Sequence, residues 1–263
     1  MKGINSVSVV VVCFNAEDSI EETLISILNQ SYKNIELIIK DGESRDNTLR
    51  IVNSYKDIFE QKSIRLVLVS KKDKGIYDAM NQAVEYCRND WISFMNCGDS
   101  YYDDTVIEDS FHRKIEDDIG IIYGHAKYQL NLDYDIIIES NIVKSVDIAI
   151  CHQALFIRSD LLSRFKFDIG YKLVADRDLV FKILSYGYRS LKVNTIICVY
   201  RRDGVSSKDY VTLRKEIYEC NEKYGLKPNK YSYVVSLIKT IVNQIFPFIA
   251  DLVLCKKNMK RKK

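Results

Sequence analysis

Four aspartates stand where apolar runs of the chain give out: Asp41, Asp46, Asp73 and Asp99. Beside them fall the Phe14-Asn15 step, Gly42, the charged run 71–75 and Asn96. Carboxylates, amides and a lysine-bearing loop together suit a phosphorylated ligand whose charge is met by a hard cation and by lysine. Singly, each aspartate also suits a helix or turn cap, Asp46 above all. A purely structural rim would not need them all at one place, so the question is whether the fold gathers them.

The intervening elements say that it does. Residues 7–13 form a continuous apolar run rich in β-branched residues, which reads as a strand buried on both faces. Ser19 to Glu22 fits a capping box, followed by Ile20, Leu24, Ile27 and Leu28 at helical spacing. Further strands are predicted at 35–39, 65–70 and 91–95, and further helices at 46–55 and 76–87. This βαβαβαβ order in about the first hundred residues demands a parallel sheet with helices on its faces. Ligands of open α/β sheets bind beyond the carboxyl ends of the strands, where the residues above lie. No G-x-G-x-x-G and no G-x-x-x-x-G-K-[ST] is present, which argues against a dinucleotide fold and a P-loop. A nucleotide here has to be held through its base, its ribose and a metal on its phosphates.

At these residues the chain resembles the family 2 glycosyltransferases, which have the GT-A fold. The resemblance is carried by residues 7–48, with Asp41-Gly42-Glu43-Ser44-Arg45-Asp46-Asn47-Thr48 as the second-strand motif. It continues in KGIYDAMNQAVEYCRNDWISFMNCGDSYYDD, in CHQALFIRSDLL and in YKLVADRDLVFKILSYG. It spans roughly residues 7–206, and its branch is similar to bacterial surface-polysaccharide transferases of the colanic-acid or O-antigen type. The implied architecture is α/β, a Rossmann-like, mostly parallel sheet flanked by helices. Residues 1–100 form the nucleotide-sugar half and 101–225 the acceptor and catalytic half of one domain, with an amphipathic helix and basic tail at 226–263.

The resemblance assigns roles. Asp99 is the metal ligand, for Mn²⁺ or Mg²⁺. The family usually carries Asp-x-Asp-Asp there, where this chain has Asn96-Cys97-Gly98-Asp99, so the metal is expected to arrive with the donor. Asp41 is expected to accept from a nucleobase N–H, uracil by the family's habit. Phe14, Asn15, Lys74, Asn96, His152 and Arg201 join it as nucleotide-sugar contacts. Asp176, in Ala175-Asp176-Arg177-Asp178, matches the catalytic base that takes the acceptor hydroxyl proton. An acid at a helix start also favours the helix dipole, a lysine in a charged run is also a solvated group, and His152 also suits a satisfied buried polar group.

Composition bounds the rest. The chain has 263 residues, 47% hydrophobic, with 39 Lys and Arg against 36 Asp and Glu. Six of the basic groups lie in residues 256–263, and without them the balance is 33 against 36. A mildly acidic body is a poor nucleic-acid binder. A basic tail after the apolar, polar-striped segment 231–255 reads as an in-plane interfacial helix with an anionic-surface anchor. Seven cysteines without CxxC spacing, and no signal peptide, fit a cytoplasmic protein, peripheral at the inner face of the membrane. The chemistry thus expected is inverting transfer of a sugar from a nucleotide-sugar, a UDP-sugar by resemblance, to a polyprenyl-diphosphate-linked saccharide. The depleted metal motif keeps open a non-catalytic relative that only binds nucleotide-sugars or glycans.

Overall fold

A computed structural model describes residues 5–131, 134–138, 151–201 and 209–226. The chain divides into two compact units, Met1–Asp203 and Gly204–Lys263.

The first unit opens with β1 (Val7–Cys13), α1 (Ile20–Leu28), β2 (Ile35–Asp41), α2 (Thr48–Ser54), α3 (Lys56–Gln61), β3 (Arg65–Ser70), α4 (Ile76–Val84) and β4 (Trp91–Asn96). The expected alternation is therefore present, with one surplus helix. β1 pairs in parallel with β2 and β4, and β2 with β3. The apolar runs are continuous because both faces are covered. Val7, Val9 and Val11 pack with Ile20, Leu24 and Ile27 of α1, Val52 of α2 and Phe59 of α3. Val10 and Ile38 pack on the other face with Met80 and Ala83 of α4. Each fully buried aliphatic side chain contributes on the order of 1.5–3 kcal/mol of transfer free energy.

After β4 antiparallel strands enter the sheet. β5 (Ser100–Tyr101) and α5 (Val106–Phe111) lead into the long β6 (Ile119–Asn131) and its hairpin partner β7 (Tyr134–Ile138). A 3₁₀ turn (His152–Ala154) precedes β8 (Leu155–Arg158), α6 (Ser159–Phe165), α7 (Ala175–Ser185) and β9 (Arg189–Arg201). β8 is antiparallel to both β4 and β6, whereas β9 is parallel to β6. The sheet order is β3-β2-β1-β4-β8-β6-β9-β5, with β7 on β6. It is a mostly parallel, mixed sheet flanked by helices. α6 and α7 bury Leu161, Leu162, Leu179, Val180 and Ile183 beneath it.

Two local expectations need correction. Ser19 precedes α1 but makes no side-chain cap; its hydroxyl donates to the Ala16 carbonyl at 3.4 Å. The helix expected over 46–55 begins at Thr48 and is followed by the separate α3. In the second unit, α8 (Tyr210–Lys223) is capped by Asp209, whose carboxylate accepts the Thr212 N–H at 3.1 Å. Among the described residues no helix is long and apolar enough to cross a membrane. The amphipathic helix and basic tail read at 226–263 lie outside the described residues.

Candidate active site

The parallel register places Cys13 opposite Asp41, Val12 opposite Asn96, and Asp41 opposite Ser70. The strand-end residues therefore form one rim, as the topology requires.

On the side built by β1, β2 and β3, Phe14 is 63% exposed and Asn15 sits at φ +48. Asparagine tolerates that left-handed conformation better than most residues. It is held there by its N–H donating to Ser44 Oγ (2.8 Å) and its Oδ1 accepting the Arg45 N–H (2.9 Å). Asp41 has no exposed surface. Its oxygens accept from the Ser44 N–H (3.0 Å), the Ser44 hydroxyl and the Ser70 hydroxyl (2.6 Å). A side chain at Gly42 would lie 3.1 Å from Asp73 Oδ2 and 3.3 Å from the Phe14 ring, so glycine keeps this floor open. Lys74 is exposed, and its backbone N–H donates to Asp78. Asp46, one residue before the Asn47 N-cap of α2, accepts from the Thr48 N–H (3.0 Å) and hydroxyl (2.6 Å), and it also accepts the Glu17 N–H at 3.0 Å.

On the side built by β4, the 3₁₀ turn and α7, two short chains of contacts meet. In the first, Asn96 Nδ2 lies 3.0 Å from His152 Nε2, and His152 Nδ1 lies 3.2 Å from Asp176 Oδ2. Asp176 Oδ1 accepts the Arg177 N–H at 2.7 Å. Asp176 is buried to 8% residual exposure, at the start of α7. In the second chain, Gln153 Nε2 donates to Asp99 Oδ2 at 2.6 Å while its Oε1 accepts from the Cys151 thiol at 3.1 Å. Gly98, at φ +87, lets the turn before Asp99 form where a side chain would strain it. Its N–H donates to Thr23 Oγ1, which donates in turn to the Asp99 carbonyl. Asp178, the later acid of the same motif, is fully buried, with Lys182 at 3.4 Å. Arg201 ends β9; its side chain and residues 202–206 lie outside the described residues.

Several residues of the site were not singled out by the sequence. Lys40 is wholly buried; its ammonium meets Asp73 at 2.9 Å and the carbonyls of Asp41 (2.8 Å) and Lys71. A lysine inside the apolar run IELIIKD was the available signal. Asn81 pairs its amide with both backbone groups of Phe167, each at 2.9 Å, and so anchors the loop that leads to α7. Gln153 is named only by its contact with Asp99. Two nearby thiols, Cys13 and Cys198, are not nucleophiles in waiting. The contact with Cys97, burial and the Asp41 carboxylate push Cys13 far up, and burial with Cys151 does the same to Cys198.

The profile of the family described as Glycosyl transferase family 2 matches residues 8–161, more than half of the chain. The chain belongs to that family. It is 27% identical over 188 residues to the PGL/p-HBAD biosynthesis glycosyltransferase of Mycobacterium tuberculosis, covering 68% of this chain and 69% of that protein. It is 30% identical over 128 residues to the Escherichia coli UDP-Glc:alpha-D-GlcNAc-diphosphoundecaprenol beta-1,3-glucosyltransferase WfaP, covering 49% of this chain and 48% of that one. Among solved structures it superimposes on S. aureus TarS 1-349 with a TM-score of 0.64 at 18% identity, covering 82% of this chain and 65% of that one. The mannosyltransferase PcManGT of Pyrobaculum calidifontis, solved with GDP-Man and Mn²⁺, gives 0.69 at 15% identity over 97% and 81% of the two chains. The fold of this family 2 glycosyltransferase is thus GT-A, as the resemblance implied.

The rim of the glycosyltransferase carries one pH-sensitive tie. Against the upward pull of partial burial, hydrogen bonds from Thr48 and Glu17 hold the Asp46 carboxyl below its ordinary range. A carboxyl lowered in the fold stabilises above its unfolded value, about 3.9. That contribution is lost as pH falls through the folded value. Asp46→Ala should therefore melt below the parent at pH 7, and the gap should close steadily below about pH 4. Thermal unfolding of both proteins from pH 7 to 2.5 checks this; a gap independent of pH would refute the tie.

Proposed function

We propose that the protein is an inverting glycosyltransferase that moves a sugar from a UDP-sugar to a polyprenyl-diphosphate-linked saccharide in surface-polysaccharide synthesis. The carrying observation is Asp176, a carboxylate at a helix start with one oxygen held by a backbone N–H and the other by an imidazole. Support for the substrates comes from the relatives: WfaP is named for UDP-Glc and a diphosphoundecaprenol acceptor, and TarS 1-349 has been solved with UDP-GlcNAc.

In this reading Phe14 and Asn15 border the nucleobase. Asp41 meets its N–H when the Ser44 hydroxyl gives way. Lys74 and Arg201 face the diphosphate, and Asn96 lies at the donor-sugar end. Asn96 Oδ1 is buried and has no partner among the described residues, so a donor hydroxyl would satisfy it. The acceptor hydroxyl gives its proton to Asp176 while its oxygen bonds to the anomeric carbon. The bond from that carbon to the phosphate oxygen breaks on the opposite face, and its electrons leave with the nucleoside diphosphate.

The residues present fit a divalent cation only in company with the donor. Asp99 is a single carboxylate with one oxygen engaged by Gln153, and among the described residues no group of three potential ligands occurs. Diphosphate oxygens would complete such a site, with Asp99 as the protein's ligand. When bound, the cation neutralises charge on the departing diphosphate. The same sparse donor set favours a second reading, a relative that binds nucleotide-sugars without turnover.

Transfer assays with Asp176→Asn and Asp99→Ala separate the two readings. Loss of the base should lower kcat by about 10²–10⁴-fold with UDP binding retained. Loss of Asp99 should cut transfer and its metal dependence together. Unchanged turnover in both variants would overturn the catalytic reading, and UDP binding by a wild type that transfers nothing would favour the binding relative.

The lipid acceptor implies work at the inner face of the cytoplasmic membrane, with residues 226–263 as the interfacial helix and anchor. Deleting residues 229–263 is expected to move the protein from the membrane pellet to the supernatant, read by flotation on anionic vesicles. Continued flotation would contradict the anchor.

A further inference from the structure

We propose that His152 is a positioning residue for the base and not a donor contact: it fixes the orientation of Asp176 from the strand that carries Asn96 and the turn to Asp99. The inference rests on the reading of Asp176 given above.

The argument starts from donors and acceptors. The amide nitrogen of Asn96 can only donate. At 3.0 Å it therefore requires His152 Nε2 to accept, which leaves the imidazole proton on Nδ1. That proton points at Asp176 Oδ2, 3.2 Å away. Both ring nitrogens are thus engaged by protein groups, with the side chain 14% exposed. A carboxylate in place of Asn96 would accept instead and draw the proton to Nε2. Asn96 selects the tautomer that serves Asp176, an effect that the pairing of imidazole with an orienting partner exploits generally.

The consequence for Asp176 is geometric. A carboxylate held at one oxygen can still swing about its last torsion. Here the Arg177 N–H on Oδ1 and the imidazole on Oδ2 fix both ends. Each oxygen keeps a further lone pair, so the plane of the group is set while its capacity to take a proton remains. The imidazole is held by the 3₁₀ turn His152–Ala154, whose Ala154 N–H closes on the Cys151 carbonyl at 3.0 Å. The next residue, Gln153, steadies Asp99 from the same turn. The dipeptide His152-Gln153 therefore sets the base and the metal carboxylate at a fixed relation to β4.

The test uses the full chain with a UDP-sugar and acceptor on which the wild type turns over. His152→Ala should lower kcat by about 10- to 100-fold with donor KM within about twofold. His152→Asn, whose amide NH₂ can donate from near the position of Nδ1, should recover most of the loss. Added to Asp176→Asn, the alanine change should cost nothing further, because it acts through that carboxylate. His152→Phe keeps the ring volume without nitrogens and carries the same expectation should His152→Ala fail to melt cooperatively. A raised donor KM with kcat intact would make His152 a donor contact and overturn the inference. So would additive losses in the double variant. Full activity of His152→Ala beside a dead Asp176→Asn overturns this inference alone, and full activity of Asp176→Asn overturns the reading of the base with it.

Discussion

The register between three parallel strands is the constraint from which the site follows. β1 sets Cys13 level with Asp41 on one side and Val12 level with Asn96 on the other. Because parallel strands all end on the same side, each strand delivers its polar terminal residue to one edge. A one-residue slip of β2 would exchange the faces that Asp41 and Lys40 present. The buried Lys40, tied to Asp73 and two carbonyls, closes the ends of β2 and β3 at that level. An ammonium wholly removed from water is tolerable only with such a set of acceptors.

The antiparallel β8 supplies the second half. It runs back beside β4, so the turn just before it, His152–Ala154, arrives where β4 ends. α7 begins beneath the same edge and presents Asp176 in its first turn. Asn96 at the end of β4 and Asp176 on α7, 80 residues apart in number, are thereby joined through one imidazole. Holding them rigid falls to the contacts that Asn96 Nδ2, both His152 ring nitrogens and both Asp176 oxygens make with protein groups, which favours a single arrangement over many.

Much of this was legible in the chain. Doubly buried parallel strands have a plain signature, the apolar run rich in β-branched residues at Val7–Cys13, and alternation with helices then leaves little choice of topology. The place of Asp176 at a helix start was legible, because α7 begins at Ala175 where the motif Ala175-Asp176-Arg177-Asp178 does. What was not legible depends on contacts between distant segments. The pairing of β8 with β4 and β6 leaves no mark in the local period. Gln153 acquires meaning only when Asp99 comes within 2.6 Å, and Asn81 only when Phe167 does. The capping box at Ser19 failed for a similar reason: the chain enters α1 through a turn on Ala16, and the hydroxyl is spent there. Asp41 was expected to meet a nucleobase N–H, yet its neighbours Ser44 and Ser70 fold over it, a closure that depends on loop and strand meeting in space.

The account depends on one carboxylate acting once, as a base opposite a departing nucleoside diphosphate. Its most direct test is the stereochemistry of the new glycosidic bond, read from the one-bond ¹³C–¹H coupling at the anomeric centre of the product made by the full chain. Inversion relative to the donor is the result that single displacement predicts. Retention would require a route that Asp176, so placed, does not provide, and would contradict the account.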